Sequence, residues 1–214
     1  RAAPTADDIA EFAGTGLAPV GVITQLKDQF QNLQPQTIAG IDLGVLWRQR
    51  TDHLGAFDFN IDATRLDKFF LPPSLAVQSL FAARAAGVIN PATPLANQGD
   101  ELEVLGNPKL KGTASVNWTL GRVQVGSSVV YTGKTLDTNF LSTTGVPWHV
   151  SSLTVVNLFG QIEFPRVFGQ SGLHWRLGAR NLFNRSPPIE SDGYNGALYV
   201  PYGRYLYTSL AASF

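Results

Sequence analysis

The feature that most constrains this chain is a period of two carried over more residues than a globular strand needs. In LKGTASVNWTL, residues 110–120, Leu110, Gly112, Ala114, Val116, Trp118 and Leu120 fall on one side of an extended chain. Lys111, Thr113, Ser115, Asn117 and Thr119 fall on the other. The alternation marks seven segments, 36–49, 55–69, 109–120, 122–133, 152–164, 172–183 and 204–214, most of them 11 to 15 residues long. Globular strands typically run about five or six. At ~3.3 Å per residue, 11 residues span about 36 Å, and a tilt near 40° brings the height to about 28 Å, which matches a bilayer's hydrocarbon layer.

Which solvent the oily faces meet is tested by GLHWRLGARNLF, residues 172–183. Leu173, Trp175, Leu177 and Ala179 take one face, and His174, Arg176, Gly178 and Arg180 the other. An arginine in hydrocarbon near the midplane costs roughly 2–4 kcal/mol, so Arg176 is expected to look into a wet lumen. The connections sort in the same sense. They are short at 50–54, 121 and 165–171, and long at 70–108, 134–151 and 184–203. Short turns on one side and long loops on the other are the habit of outer-membrane barrels, with the short ones periplasmic. Aromatics near segment ends, among them Trp47, Trp118, Tyr131, Phe164, Phe183 and Tyr205, suit interfacial girdles. The expectation is an all-β chain, a transmembrane antiparallel β-barrel. Leu110, Ala114, Val116, Trp118 and Leu120 would face lipid, with Trp118 near the periplasmic boundary.

Composition removes other classes. The chain is 44% hydrophobic and 15% charged with a net charge of zero, which gives no electrostatic case for nucleic acid. It has no cysteine, and His53, His149 and His174 lie far apart, so no thiol nucleophile or zinc knuckle is available and no metal or cofactor is expected. No G-x-S-x-G motif or other catalytic constellation is present, and no enzyme is expected. The chain starts at Arg1 without methionine, and seven strands would leave two edges that lipid cannot satisfy. It therefore reads as the C-terminal portion of a larger barrel, with residues 1–35 an extracellular loop carrying a short helix capped by Thr5. The last segment alternates to a terminal Phe214. With Leu210 and Tyr205, it is similar to the signal by which the outer-membrane assembly machinery recognises its clients.

Several motifs carry a family resemblance. Asn181, Leu182, Phe183 and Asn184 resemble the "NLFD" signature of the TonB-dependent outer-membrane receptors, with asparagine in place of the aspartate. Gly203 and Arg204, leading to Phe214, are similar to the family's closing "GR" strand. Gly40 and Asp42 resemble its "GvD/GvE" strand, and GNPKLKGTASVNWTLG the stretch entering a later strand. The resemblance implies a 22-stranded barrel of which this chain is the last seven strands, filled by an N-terminal plug that this sequence lacks. It implies uptake of a scarce nutrient (a ferric siderophore, cobalamin or a saccharide) in the outer membrane of a Gram-negative bacterium, energised by the TonB complex acting on the plug.

Ligand contacts are expected from the lumen near the outer rim and from the long loops. Tyr194, Tyr199 and Tyr202 in loop 184–203 could stack on flat ligands or sugars, though Tyr199 and Tyr202 also suit an upper girdle. Trp148 and His149 are similar candidates. Arg176, Arg180 and His174 could attract an anion, or pair with carboxylates of wall or plug. SLAVQSLFAARAAG in loop 70–108 suits a short helix, as a lid or an ordered rim. A passive porin, an outer-membrane hydrolase and a soluble β-sandwich stay open as alternatives.

Overall fold

The chain was described in a computed structural model that covers residues 1–16, 18–25, 34–95, 98–164 and 172–213. Phe214 and the connection 165–171 lie outside the described residues. The elements in chain order are α1 (Ala6–Glu11), β1 (Thr37–Thr51), β2 (Gly55–Leu71), α2 (Leu75–Ala85), β3 (Gly99–Asp100), β4 (Leu110–Leu120) and β5 (Val123–Thr132). They continue with β6 (Thr135–Leu141), β7 (Pro147–Val150), β8 (Leu153–Phe164), β9 (Gly172–Arg180) and β10 (Tyr205–Ser213).

Seven strands make one antiparallel sheet in the order β1-β2-β4-β5-β8-β9-β10, with β3 attached to β2. Each long strand pairs with the next long one in sequence, so the sheet is a meander. Two connections at one end are tight. Between β4 and β5, Leu120 pairs with Val123, leaving Gly121 and Arg122 as a two-residue hairpin turn. Gly121 has φ +57°, the positive value that a turn matched to sheet twist demands at its first central position. The other end carries the three long connections. No helix among the described residues is long and apolar enough to cross a membrane.

Register aligns the alternating segments into two continuous faces. One cross-strand row reads Val45, Ile61, Ala114, Val129 and Val156, and the next Trp47, Phe59, Val116, Ser127, Leu158, Ala179 and Leu206. Among the described residues no charged side chain occupies this face from the tight turns up to Arg65, which pairs with Asp67 at 2.8 Å near the loop end. Some of its polar groups are bonded within the sheet: Trp175 Nε1 donates to Thr208 Oγ1 at 2.9 Å, and Ser127 Oγ to the Asn157 carbonyl at 3.1 Å. Trp118 Nε1 donates to the Leu54 carbonyl in the β1–β2 turn at 2.7 Å, placing this indole at the tight-turn end. Trp47 stacks on Phe59 at the same end, ring centroids 4.9 Å apart. Leu206 and Leu210 are 70% and 67% exposed, so at β10 no described residue covers this face.

The opposite face is polar, with Asp42, Asp58, Asp62, Lys111, Asn117, Gln124, Gln161, Glu163 and Arg176 among its members. Ion pairing and hydrogen bonds run across it, as between Arg48 and Asp58 and from Thr64 Oγ1 to Asp42 Oδ1 at 2.6 Å. Tyr205 belongs to this face, opposite Arg180 on β9, and not to an apolar girdle as its position near a segment end suggested.

Two other expectations change. The segment 172–183 leaves the sheet after Arg180, because Asn181 turns left-handed at φ +50° and Asn184 at φ +54°. Phe183 is thereby carried past the strand and stands 65% exposed. The connection 134–151 is not plain loop, since β6 and β7 pair within it as a separate two-stranded sheet. The two short helices start at side-chain caps. Thr5 Oγ1 accepts from the Asp8 amide while Asp8 answers to the Thr5 amide, and Ser74 Oγ accepts from the Val77 amide.

Candidate functional site

The tightest packing lies in the loops. Val150, Thr135 and Asp137 are 1–2% exposed, and all three belong to the β6–β7 hairpin. That hairpin joins the three long connections. On one side the Leu136 carbonyl accepts from the Leu105 amide at 2.9 Å, with Val104 bridging Leu136 in parallel. On the other, Asp137 Oδ2 accepts the Ser191 amide at 2.9 Å and the Ser191 hydroxyl, and Trp148 Nε1 donates to the Ile189 carbonyl at 3.0 Å. Burial pushes the Asp137 carboxyl up, but the Ser191 hydroxyl, the Ser191 amide and the Asn139 amide outweigh it and hold the group below its ordinary value. Trp148 thus serves first as a tie between loops, with its ring edge-on to Phe140. His149 pairs with Leu136 in the hairpin.

Loop 181–204 leaves β9 through the residues of the NLFN motif. Asn181, 6% exposed, donates from Nδ2 to the carbonyls of Arg185 at 2.7 Å and Tyr202 at 3.3 Å, and accepts the Arg185 amide on Oδ1 at 2.8 Å. Its own amide donates to Asn157 Oδ1 at 3.0 Å, and the next amide, of Leu182, to the Val156 carbonyl. Asn184 Oδ1 accepts the Arg204 amide at 2.8 Å, directly over Gly203, where a Cβ would lie 2.6 Å from that oxygen. The motif and the "GR" pair therefore clasp the two ends of one loop together. An oxygen acceptor is what position 184 needs, and asparagine supplies it as aspartate would.

So clasped, the loop returns over the polar face and closes a cavity of about 990 Å³ against the upper halves of β4, β5, β8, β9 and β10. Tyr199, Tyr202 and Leu198 come from the loop, and Arg180, Tyr205 and Tyr207 from the wall, with Arg185 at the loop's start. The volume is at the upper end of the ~300–1,000 Å³ of small-molecule sites. Tyr199 is 3% exposed and Tyr202 71%, so one phenol is built in while the other stands at the rim. Burial raises the Tyr199 phenol above its ordinary value, and the charge of Glu190 raises it further. Tyr194 is 44% exposed on the same loop and does not line the cavity.

At the floor of the cavity, Gly126, Phe159, Gly178 and Tyr207 occupy one cross-strand row. The two rings lie flat over the glycines: a Cβ at Gly126 would fall 2.3 Å from the Phe159 ring, and one at Gly178 2.3 Å from that of Tyr207. Arg176 stacks on Phe159 at 3.7 Å and Arg180 approaches Tyr207 at 5.9 Å. Neither arginine forms a salt bridge among the described residues, so both charges are held by aromatic faces on the wall. His174 is on the same face nearer the tight turns, opposite Glu163. At the far side of the sheet Gly40 sits at a β-bulge, its missing Cβ leaving room for the Arg65 carbonyl, and Asp42 follows on the polar face.

Sequence reasoning did not find Asp137, Ser191, Arg185 or Asn157. The one local hint was the short alternation of TLDTNFL, easily lost inside a long connection.

A long-stranded meander with one apolar face uncharged below Arg65, one polar face and all long loops at one end is part of the wall of a membrane-type β-barrel. Residues 5–182 match the family model for the TonB dependent receptor-like β-barrel. The chain belongs to the TonB-dependent receptor family. It is also similar to the solved structure of a G324V mutant of the ferric enterobactin receptor of Pseudomonas aeruginosa, at 16% identity and a TM-score of 0.49. That match covers 86% of this chain and 23% of the receptor, so the chain spans about a quarter of that protein's length. No curated protein matches the chain.

Proposed function

We propose that the chain supplies seven barrel strands of an outer-membrane active-transport receptor, energised through TonB acting on a plug, and that its cavity binds a scarce nutrient of ferric-siderophore type. The cavity beneath loop 181–204 is the observation that carries this reading. Its tyrosines offer flat faces, and Arg180 and Arg185 offer positive charge to a ligand that is anionic and aromatic or chelate-like. A saccharide would use the rings but not the charges. In this reading the apolar face meets lipid, the tight turns are periplasmic, and residues 1–35 lie outside the cell.

The test uses the full-length receptor in detergent, titrated with ferric siderophores, cobalamin and oligosaccharides while protein fluorescence is followed. A ferric complex is expected to bind, and Arg180→Ala with Arg185→Ala to weaken it about tenfold or more, the scale of lost hydrogen bonds to a charged group. Saccharide binding that is indifferent to both arginines would overturn the ligand class. A passive porin is the second reading, and it separates cleanly: uptake by whole cells should stop when TonB is deleted, whereas diffusion through a porin would continue.

A further inference from the structure

The loops assemble a second constellation beside the cavity. Asp137 of β6 and Glu190 and Asp192 of loop 181–204 each offer a carboxylate oxygen, and the three oxygens lie within 4.8 Å of one another. Such a cluster is self-repelling, and Asp137 is 2% exposed, where water screens little. No lysine or arginine makes a salt bridge to any of the three among the described residues.

Tyr199 is 3% exposed, and its hydroxyl finds no hydrogen-bond partner among the described residues. The phenol is near enough to Glu190 to feel that carboxylate's charge. Glu190 Oε1 is likewise buried and without a partner, although the same side chain takes a hydrogen bond from Asn195. A buried phenol and a buried carboxylate oxygen, both left unpaired, cost more than ordinary packing explains.

We propose that Asp137, Glu190 and Asp192 bind a divalent cation of the calcium class, with the Tyr199 hydroxyl at its edge, and that the cation pins loop 181–204 to the β6–β7 hairpin. The donor set is hard oxygen throughout, without nitrogen or sulfur, which favours calcium over zinc or copper. Ligands drawn from a strand and an irregular loop suit calcium's adaptable shell of about six to eight oxygens better than magnesium's strict octahedron. Three carboxylates leave positions for water or backbone carbonyls. The Ser191 and Asn139 donors on Asp137 fix its orientation, as supporting hydrogen bonds do for metal ligands. The cation site does not depend on which ligand fills the cavity.

The full-length receptor, stripped with chelator, is titrated with terbium while luminescence sensitised by nearby aromatic rings is recorded, and calcium is then added as competitor. A saturable signal reversed by calcium is expected, weakened about tenfold or more in Asp192→Asn and in Glu190→Gln. Asp58→Asn, a carboxylate on the distant polar wall, should leave it unchanged. Calcium should also slow tryptic cleavage at Arg185 in the unaltered receptor and not in Asp192→Asn, whose exposed side chain the fold does not need. Absence of a saturable signal, or equal titrations for the unaltered protein and both variants, would overturn the site.

Discussion

Asn181 uses every polar atom of its side chain at the mouth of the last long loop, and does so while nearly buried. Asn181→Ala would strand the Arg185 amide and two carbonyls, a loss of about 1–3 kcal/mol that should appear as faster proteolysis within residues 184–203. Asn184→Asp should be close to neutral in the same assay, because the Arg204 amide needs only an oxygen. Gly203→Val should match Asn181→Ala, since its side chain would collide with that oxygen. At the other end of the chain, the Thr5 amide and hydroxyl hold the Asp8 carboxyl below its ordinary value of 3.8. A depressed carboxyl stabilises the charged form of the cap above the unfolded value and stops doing so as pH falls through the folded one. Amide exchange in Ala6–Glu11 should therefore be insensitive to pH-induced unfolding at neutrality and become unprotected only below about 3.8.

Among the elements, the β8–β9–β10 wall is fitted by alternating a ring with a glycine. Phe159 needs Gly126 beneath it, and Tyr207 needs Gly178. Gly178→Ala should displace Tyr207 and with it the Arg180 contact, destabilising the barrel by about 1–3 kcal/mol, the usual cost of overpacking. Thermal unfolding of the full-length receptor measures it, and Gly160→Ala on the opposite face, where a Cβ meets open space, is the matched control. The long strands were legible in the sequence because burial on one face and wetting on the other write a period of two directly into residues such as 110–120. The β6–β7 hairpin was not, because its stability comes from partners far along the chain: Asp137 is held by Ser191, 54 residues away, and Leu136 by Leu105. The cavity was legible only in its ingredients. Tyr199 and Tyr202 stood out as candidates, but nothing local says that the loop doubles back to bury one and leave the other at the rim. The NLFN motif was visible as a pattern, and only the clasp explains why its polar ends are there.

For the molecule as a whole, the sharpest question is whether its two faces meet two solvents, and adjacent positions in β4 can ask it. Ala114 and Thr113 are neighbours in sequence, near the strand's middle, and point to opposite sides. Ala114 lies between Ile61 and Val129 on the uncharged face, while Thr113 lies between Asp62 and Val130 on the polar one. If the first face is in hydrocarbon, Ala114→Arg should cost about 2–4 kcal/mol. Thr113→Arg should change stability by less than about 1 kcal/mol, since water and the neighbouring Asp62 both receive the charge. A sheet with water on both sides predicts two small and similar effects, and a sheet buried under protein on its apolar side predicts a penalty that persists in detergent and bilayer alike. Denaturant unfolding from lipid vesicles, repeated for bilayers of increasing thickness, distinguishes these outcomes. Only a lipid face makes the Ala114→Arg penalty grow as the membrane thickens and position 114 moves further from either headgroup layer.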